Sequence, residues 1–148
     1  MRMEHLIHVN LCVSDLDRSL EFYRDLLGGV VVDESAKDRS EFMESQGETG
    51  DTGHRAAFLA FGDNLRGPYI DLLEWNTPDA GRPLTWKSIG IPRIAVGVDD
   101  VDAFYERLSE AGVDILGPPE SLKVGRSSIR AFTVRDPDGI LIEFVTRQ

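Results

Sequence analysis

The chain carries one supersecondary pattern twice, and that repeat restricts its folding more than any other feature. His8-Val9-Asn10-Leu11-Cys12-Val13-Ser14-Asp15-Leu16-Asp17 leads into Leu20, Phe22 and Tyr23 and stops at Gly28-Gly29. Arg93-Ile94-Ala95-Val96-Gly97-Val98-Asp99-Asp100-Val101-Asp102 leads into Phe104, Tyr105 and Leu108 and stops at Gly112. The offset of 85 positions holds from His8/Arg93 to Tyr23/Leu108, and one residue drops out before the glycine. Such repetition means two copies of one unit, each with an apolar face to bury. A chain of 148 residues fits one compact domain that buries roughly two-thirds of its unfolded surface. The expected organisation is therefore a single domain over 1–148, with internal modules at about 5–75 and 91–146.

Each module reads as strand, helix and three further strands, an α+β fold. In the first, Ile7, Val9, Leu11 and Val13 share one strand face, and His8, Asn10 and Cys12 the other. Ser14 or Asp15 caps a helix with the stripe Leu16, Leu20, Tyr23, Leu27, and Val30–Val32 begins a second strand. The charged stretch Asp33–Arg39 and the glycine-rich stretch 47–54 predict a surface loop around a short helix at Ser40–Gln46, with a mobile flap over a ligand as the alternative. Ala56–Phe61 and Pro68–Trp75 read as strands joined through 62–67, and 76–90 as the connection between modules. In the second module, Ile94, Val96 and Val98 oppose Arg93, Ala95 and Gly97, and Asp99 or Asp100 opens a helix. Val113–Leu116 predicts a short strand, Glu120–Ser127 a loop, and Ile129–Val134 and Ile140–Val145 a hairpin across Asp136-Pro137-Asp138-Gly139.

The same parity selects the chemistry. Asp71 lies between Ile70 and Leu72, and Glu143 between Ile142 and Phe144. If the apolar flanks pack on the helices, Asp71, Glu143, His8 and Arg93 all face the other way, toward a shared interior. Charged groups there need a partner, a metal or water. His8, Asp71 and Glu143 offer donors for a divalent ion such as Zn, Ni, Mn, Fe or Co. Arg93 has no lone pair to give a metal, so the alternative is a metal-free cluster in which Arg93 neutralises the acids or clamps an anionic ligand. Asn10 and His54 are further candidates for contact with a substrate. Cys12 reads as a packing residue, and Tyr23 and Tyr105 as aromatics at the edge of the core.

Composition excludes other classes. A formal charge of −10 argues against nucleic acid and anionic membrane surfaces as partners. One cysteine allows no intrachain disulfide, and no apolar stretch approaches membrane-spanning length. The expectation is a cytoplasmic protein that binds a small molecule.

The segments HVNL, DLDRSLEFY and LLG within His8–Gly28, the opening Arg93–Gly112, and DPDGILIEF at Asp136–Phe144 resemble the vicinal oxygen chelate superfamily, the glyoxalase/bleomycin-resistance/extradiol-dioxygenase fold. The resemblance implies paired βαβββ modules forming a curved sheet around a central cleft, with metal ligands on the first and last strands of each module. Those positions are His8, Asp71, Arg93 and Glu143 here. It implies a divalent-metal-dependent lyase or isomerase acting on a carbonyl-containing substrate, with Glu143 or Asp71 as the catalytic proton carrier. The alternative it allows is a non-catalytic binding or antibiotic-sequestering resistance protein. A cleft built in one chain or across a homodimer is compatible with either. The chain departs from the family where a histidine is common and Arg93 stands, which argues against iron-dependent ring cleavage.

Overall fold

The computed structural model describes residues 2–63, 65–79, 81 and 84–148. Asn64, Ala80, Arg82 and Pro83, in the two connections expected between strands and between modules, lie outside the described residues. The fold is α+β, with two four-stranded mixed sheets and a few helices. The chain divides into two compact units, Met1–Ala80 and Gly81–Gln148.

In the first unit, β1 (His8–Cys12) runs parallel to β4 (Tyr69–Trp75), which pairs antiparallel with β3 (His54–Ala60), and β3 with β2 (Val30–Lys37). The parallel β1–β4 pair needs a long crossover, and the helix after β1 provides it. Asp15 accepts a hydrogen bond from the Arg18 amide at 3.0 Å, capping α1 (Leu16–Leu20), which continues as π-helical turns over Glu21–Leu26. The helix packs on β3 and β4 and covers Leu11, Ala57, Leu59 and Leu72; the last three are fully buried. Tyr23 lies at the centre of this core at 0% exposure, not at its edge as its place on the stripe suggested. Cys12 is exposed, because the face it shares with His8 and Asn10 is not covered by the helix.

The second unit repeats the plan with β5 (Arg93–Gly97), α3 (Val101–Glu110), β6 (Glu120–Val124), β7 (Ser127–Arg135) and β8 (Leu141–Arg147), in the order β5-β8-β7-β6. Asp100 caps α3 by accepting from the amides of Asp102 and Ala103. The Phe144 ring centroid lies 4.7 Å from that of Phe104 on α3 and 5.3 Å from that of Phe132 on β7.

Two expectations are corrected. Asp33–Lys37 continues β2 instead of forming a loop, past a bulge between Val31 and Asp33; charged side chains suit an edge strand with no sheet beyond it. The second strand of the second module is Glu120–Val124, whereas Val113–Leu116 contributes one bridge, Ile115 to Val134. All five β6 residues are exposed, so no apolar alternation marks it. A two-residue turn holds it on β7, with Gly125 at φ +62°, the left-handed conformation such hairpins require. The expected short helix is α2 (Glu41–Ser45), capped by Ser40.

The paired glycines that stop the first helix have different tasks. Gly28 sits at φ +79°, whereas a Cβ on Gly29 would lie 2.7 Å from the Tyr23 carbonyl oxygen and 2.9 Å from Leu59 Cδ2. Gly29→Ala is expected to destabilise the protein by about 1–3 kcal/mol through overpacking, read as a lower urea midpoint with unchanged m-value.

Candidate functional site

Strand alternation puts His8 and Asn10 of β1, Asp71 of β4 and His54 and Phe58 of β3 on the face of the first sheet turned away from the helix. The register sets Asn10 beside Asp71, and Asp71 beside Phe58. Asn10 Nδ2 donates to Asp71 Oδ2 at 2.7 Å. The other carboxyl oxygen, Oδ1, is buried with no hydrogen-bond partner among the described residues. Asp71 is 5% exposed, and burial pushes its carboxyl above the usual aspartate range; the charges of His8 and His54 and the Asn10 hydrogen bond pull less strongly the other way. A buried carboxylate oxygen without a donor is costly. The site therefore favours a neutral carboxyl, or a ligand that brings a proton or positive charge to Oδ1.

His8 lies edge-on to Phe58, with ring centroids 5.4 Å apart. His54 is buried, with Nδ1 3.0 Å from the Thr52 carbonyl oxygen. A carbonyl only accepts, so Nδ1 carries a proton and donates it to Thr52. The loop before β3 secures this arrangement. The Ser40 amide donates to Thr52 Oγ1 at 2.9 Å, and that hydroxyl donates to Glu44 at 3.1 Å. Glu74 faces the helix side, as its parity requires, and accepts from the Leu16 amide at 3.0 Å.

The second unit answers with a different pair. Arg93 Nε donates to Glu143 Oε2 at 2.5 Å, and the Arg93 Cζ lies 4.8 Å from the centre of the Trp86 ring. The register makes the two sheets comparable: Asn10 stands opposite Asp71, and its repeat counterpart Ala95 stands opposite Glu143. Ala95 has nothing to donate, and Arg93 neutralises the acid instead. Arg130, another basic residue, pairs with Asp102. Sequence parity thus agrees with the register in putting His8, Asn10, Asp71, Arg93 and Glu143 on the sheet faces turned away from the helices. Phe58 goes unflagged, since it has the parity of Asp71 but no polar group to draw attention; Trp86 lies in an irregular connection, where sequence spacing favours packing over a ligand platform. Among the described residues, no three His, Cys, Asp or Glu side chains gather in a way that could hold a metal ion.

Comparison with known proteins agrees with this plan. The family model described as Glyoxalase/Bleomycin resistance protein/Dioxygenase superfamily matches residues 5–144. The chain is 32% identical over 146 residues to a probable lactoylglutathione lyase of Vibrio cholerae, covering 98% of this chain and 92% of that protein. It is 32% identical over 122 residues to a 2-epi-5-epi-valiolone epimerase of an Actinomyces species, covering 80% and 65%. The crystal structure of a glyoxalase family protein from Bacillus cereus superposes with a TM-score of 0.80 at 21% identity, covering 99% of this chain and 96% of that one.

A carboxyl whose folded pKa is raised binds more protons folded than unfolded. Its penalty is absent below the unfolded value of about 3.9 and grows as pH rises through the folded value. Asp71→Asn is therefore expected to gain stability relative to the parent between pH 3 and 7. Urea titrations of both proteins across that range measure the difference, and a constant offset at all pH values would contradict it.

Proposed function

This chain belongs to the Glyoxalase/Bleomycin resistance protein/Dioxygenase superfamily, and on that premise we propose that it is a lyase or isomerase acting on a small carbonyl-containing molecule. One observation carries the reading: Asp71 is buried, fixed through one oxygen by Asn10, and has its second oxygen unspent. A general base works best with a pKa near the operating pH, and burial moves Asp71 in that direction. Asp71 Oδ1 takes the proton from the carbon beside the carbonyl. The C–H electron pair moves into the enolate, and the proton then returns to a different position or face. Loss of a substituent from the enolate makes the reaction a lyase reaction; simple return makes it an isomerisation. His8 and His54 lower the cost of the ionised form of Asp71. The relatives named lactoylglutathione lyase and epimerase support the reaction class.

Enzymes of this superfamily generally depend on a metal. His8 and the unspent oxygen of Asp71 are suitable donors, but Arg93 offers no lone pair and holds Glu143. The residues therefore do not fit a metal held by four protein groups, and no step above passes through one. For the same reason Asp71 is the better proton carrier of the two acids: Glu143 Oε2 is occupied by a guanidinium.

That ion pair also favours a second reading, capture of an anionic molecule without turnover. Incubation in deuterium oxide with lactoylglutathione and a panel of 2-oxo compounds separates the two. Deuterium at the carbon beside the carbonyl supports catalysis; intact, undeuterated ligand recovered from a tight complex supports capture. Where exchange occurs, Asp71→Asn is expected to slow it about 10²–10⁴-fold. Glu143→Gln is expected to slow it less than about tenfold, and the reverse ranking would move the proton carrier to Glu143. The exchange rate should fall as pH is lowered through the raised Asp71 value, since only the ionised carboxyl accepts a proton.

A further inference from the structure

We infer that Arg93 and Trp86 form a carboxylate-recognition site in the second unit, so that the molecule this protein handles carries a carboxylate group. The inference rests on the small-molecule reading above and narrows it to a substrate class.

The guanidinium is held in two directions at once. The Nε–Glu143 hydrogen bond lies in its plane, and the Trp86 ring stands over its Cζ at 4.8 Å, a cation–π distance. Glu143 is the more buried partner, its side chain 14% exposed against 40% for Arg93. No hydrogen bond from Nη1 or Nη2 is present among the described residues. With Nε engaged, the free edge of the fork is the Nη1–Nη2 side. Its two parallel N–H groups match the two oxygens of a carboxylate.

There is room beside it. Ala95 and Gly97 follow Arg93 on the same face of β5 and are exposed. A Cβ added to Gly97 would meet nothing within 4 Å. The body of a small molecule can lie along this strand while its carboxylate meets Arg93. Charge balance for Glu143 alone would need neither a planar fork nor an aromatic ring over it, since a lysine ammonium neutralises a carboxylate equally well. The overall charge of −10 sharpens the point. The chain as a whole repels anions, so an anion that binds must be held by specific donors.

The probe is pyruvate, with methyl pyruvate as its uncharged counterpart and inorganic phosphate as a tetrahedral anion. Each is titrated into the full-length protein while the Arg93 Nε–H signal is followed by nitrogen-15 NMR. Pyruvate is expected to shift that signal saturably, and the ester to leave it unmoved at equal concentration. Affinity read on the pyruvate methyl group should fall at least tenfold in Arg93→Lys, which keeps the charge but loses the fork, and should vanish in Arg93→Met. Trp86→Ala keeps the ion pair and should weaken binding severalfold, which holds the test open if the Arg93 variants misfold. No saturable pyruvate shift, equal shifts from acid and ester, phosphate binding as tight as pyruvate, or unchanged affinity in Arg93→Lys would each overturn the assignment. Its fate is separable from that of the catalytic reading. Pyruvate bound through Arg93 with no deuterium exchange in any 2-oxo compound would sink catalysis and keep the site. Exchange in uncharged carbonyl compounds without pyruvate binding would do the reverse.

Discussion

A helix pressed against one face of each four-stranded sheet decides what the opposite face presents. Leu11, Leu59 and Leu72 must lie under the first helix because their burial outweighs any preference of their polar neighbours. Strand alternation then leaves no choice for the residues between them. Asn10 and Asp71 go to the far face together, and so do Arg93 and Glu143 in the second unit. A one-residue slip in β4 would drive Asp71 under the helix and carry Leu72 to the far face. The chemical face is thus specified by the hydrophobic face, and the register that joins Asn10 to Asp71 also joins Ala95 to Glu143.

This dependence explains which features were legible from residues alone. Parity gave both acids, His8, Arg93 and Asn10 because each sits in a strand with a buried face. The same alternation puts Glu74 on the helix side, where it accepts from the Leu16 amide. β6 was invisible for the opposite reason. It is an edge strand exposed along its whole length, held by a turn and by ladder hydrogen bonds, so no period of two is imposed on its side chains. β2 beyond the bulge is similar, its charged residues reading as loop while its backbone pairs with β3. Trp86 belongs to no period, so spacing alone does not distinguish packing from a ligand platform there. Cys12 was misjudged as packing because its apolar neighbours all face the other side of β1.

The His54 environment lies between these cases. Its side chain is buried, yet what orients it is a chain of hydrogen bonds through Ser40, Thr52 and Glu44. Polar groups that satisfy one another in a loop leave no signature in hydrophobic spacing. The partner of His54 Nδ1 is the Thr52 carbonyl, a backbone atom that no sequence pattern marks.

The two copies solve one electrostatic problem in two ways, and the difference carries the functional argument. Each places a carboxylate at the same register position of its last strand. In the first copy the neighbour is Asn10, a neutral donor that reaches one oxygen and leaves the other buried and unpaired. Such an oxygen is ready to take a proton. In the second copy the neighbour is Ala95, which can donate nothing, and Arg93 supplies a full positive charge through Nε. That acid is quenched, while the arginine retains donors it has not spent. One copy therefore keeps a carboxyl short of partners and the other a cation with donors to spare. Proton transfer suits the first, and recognition of negative charge suits the second.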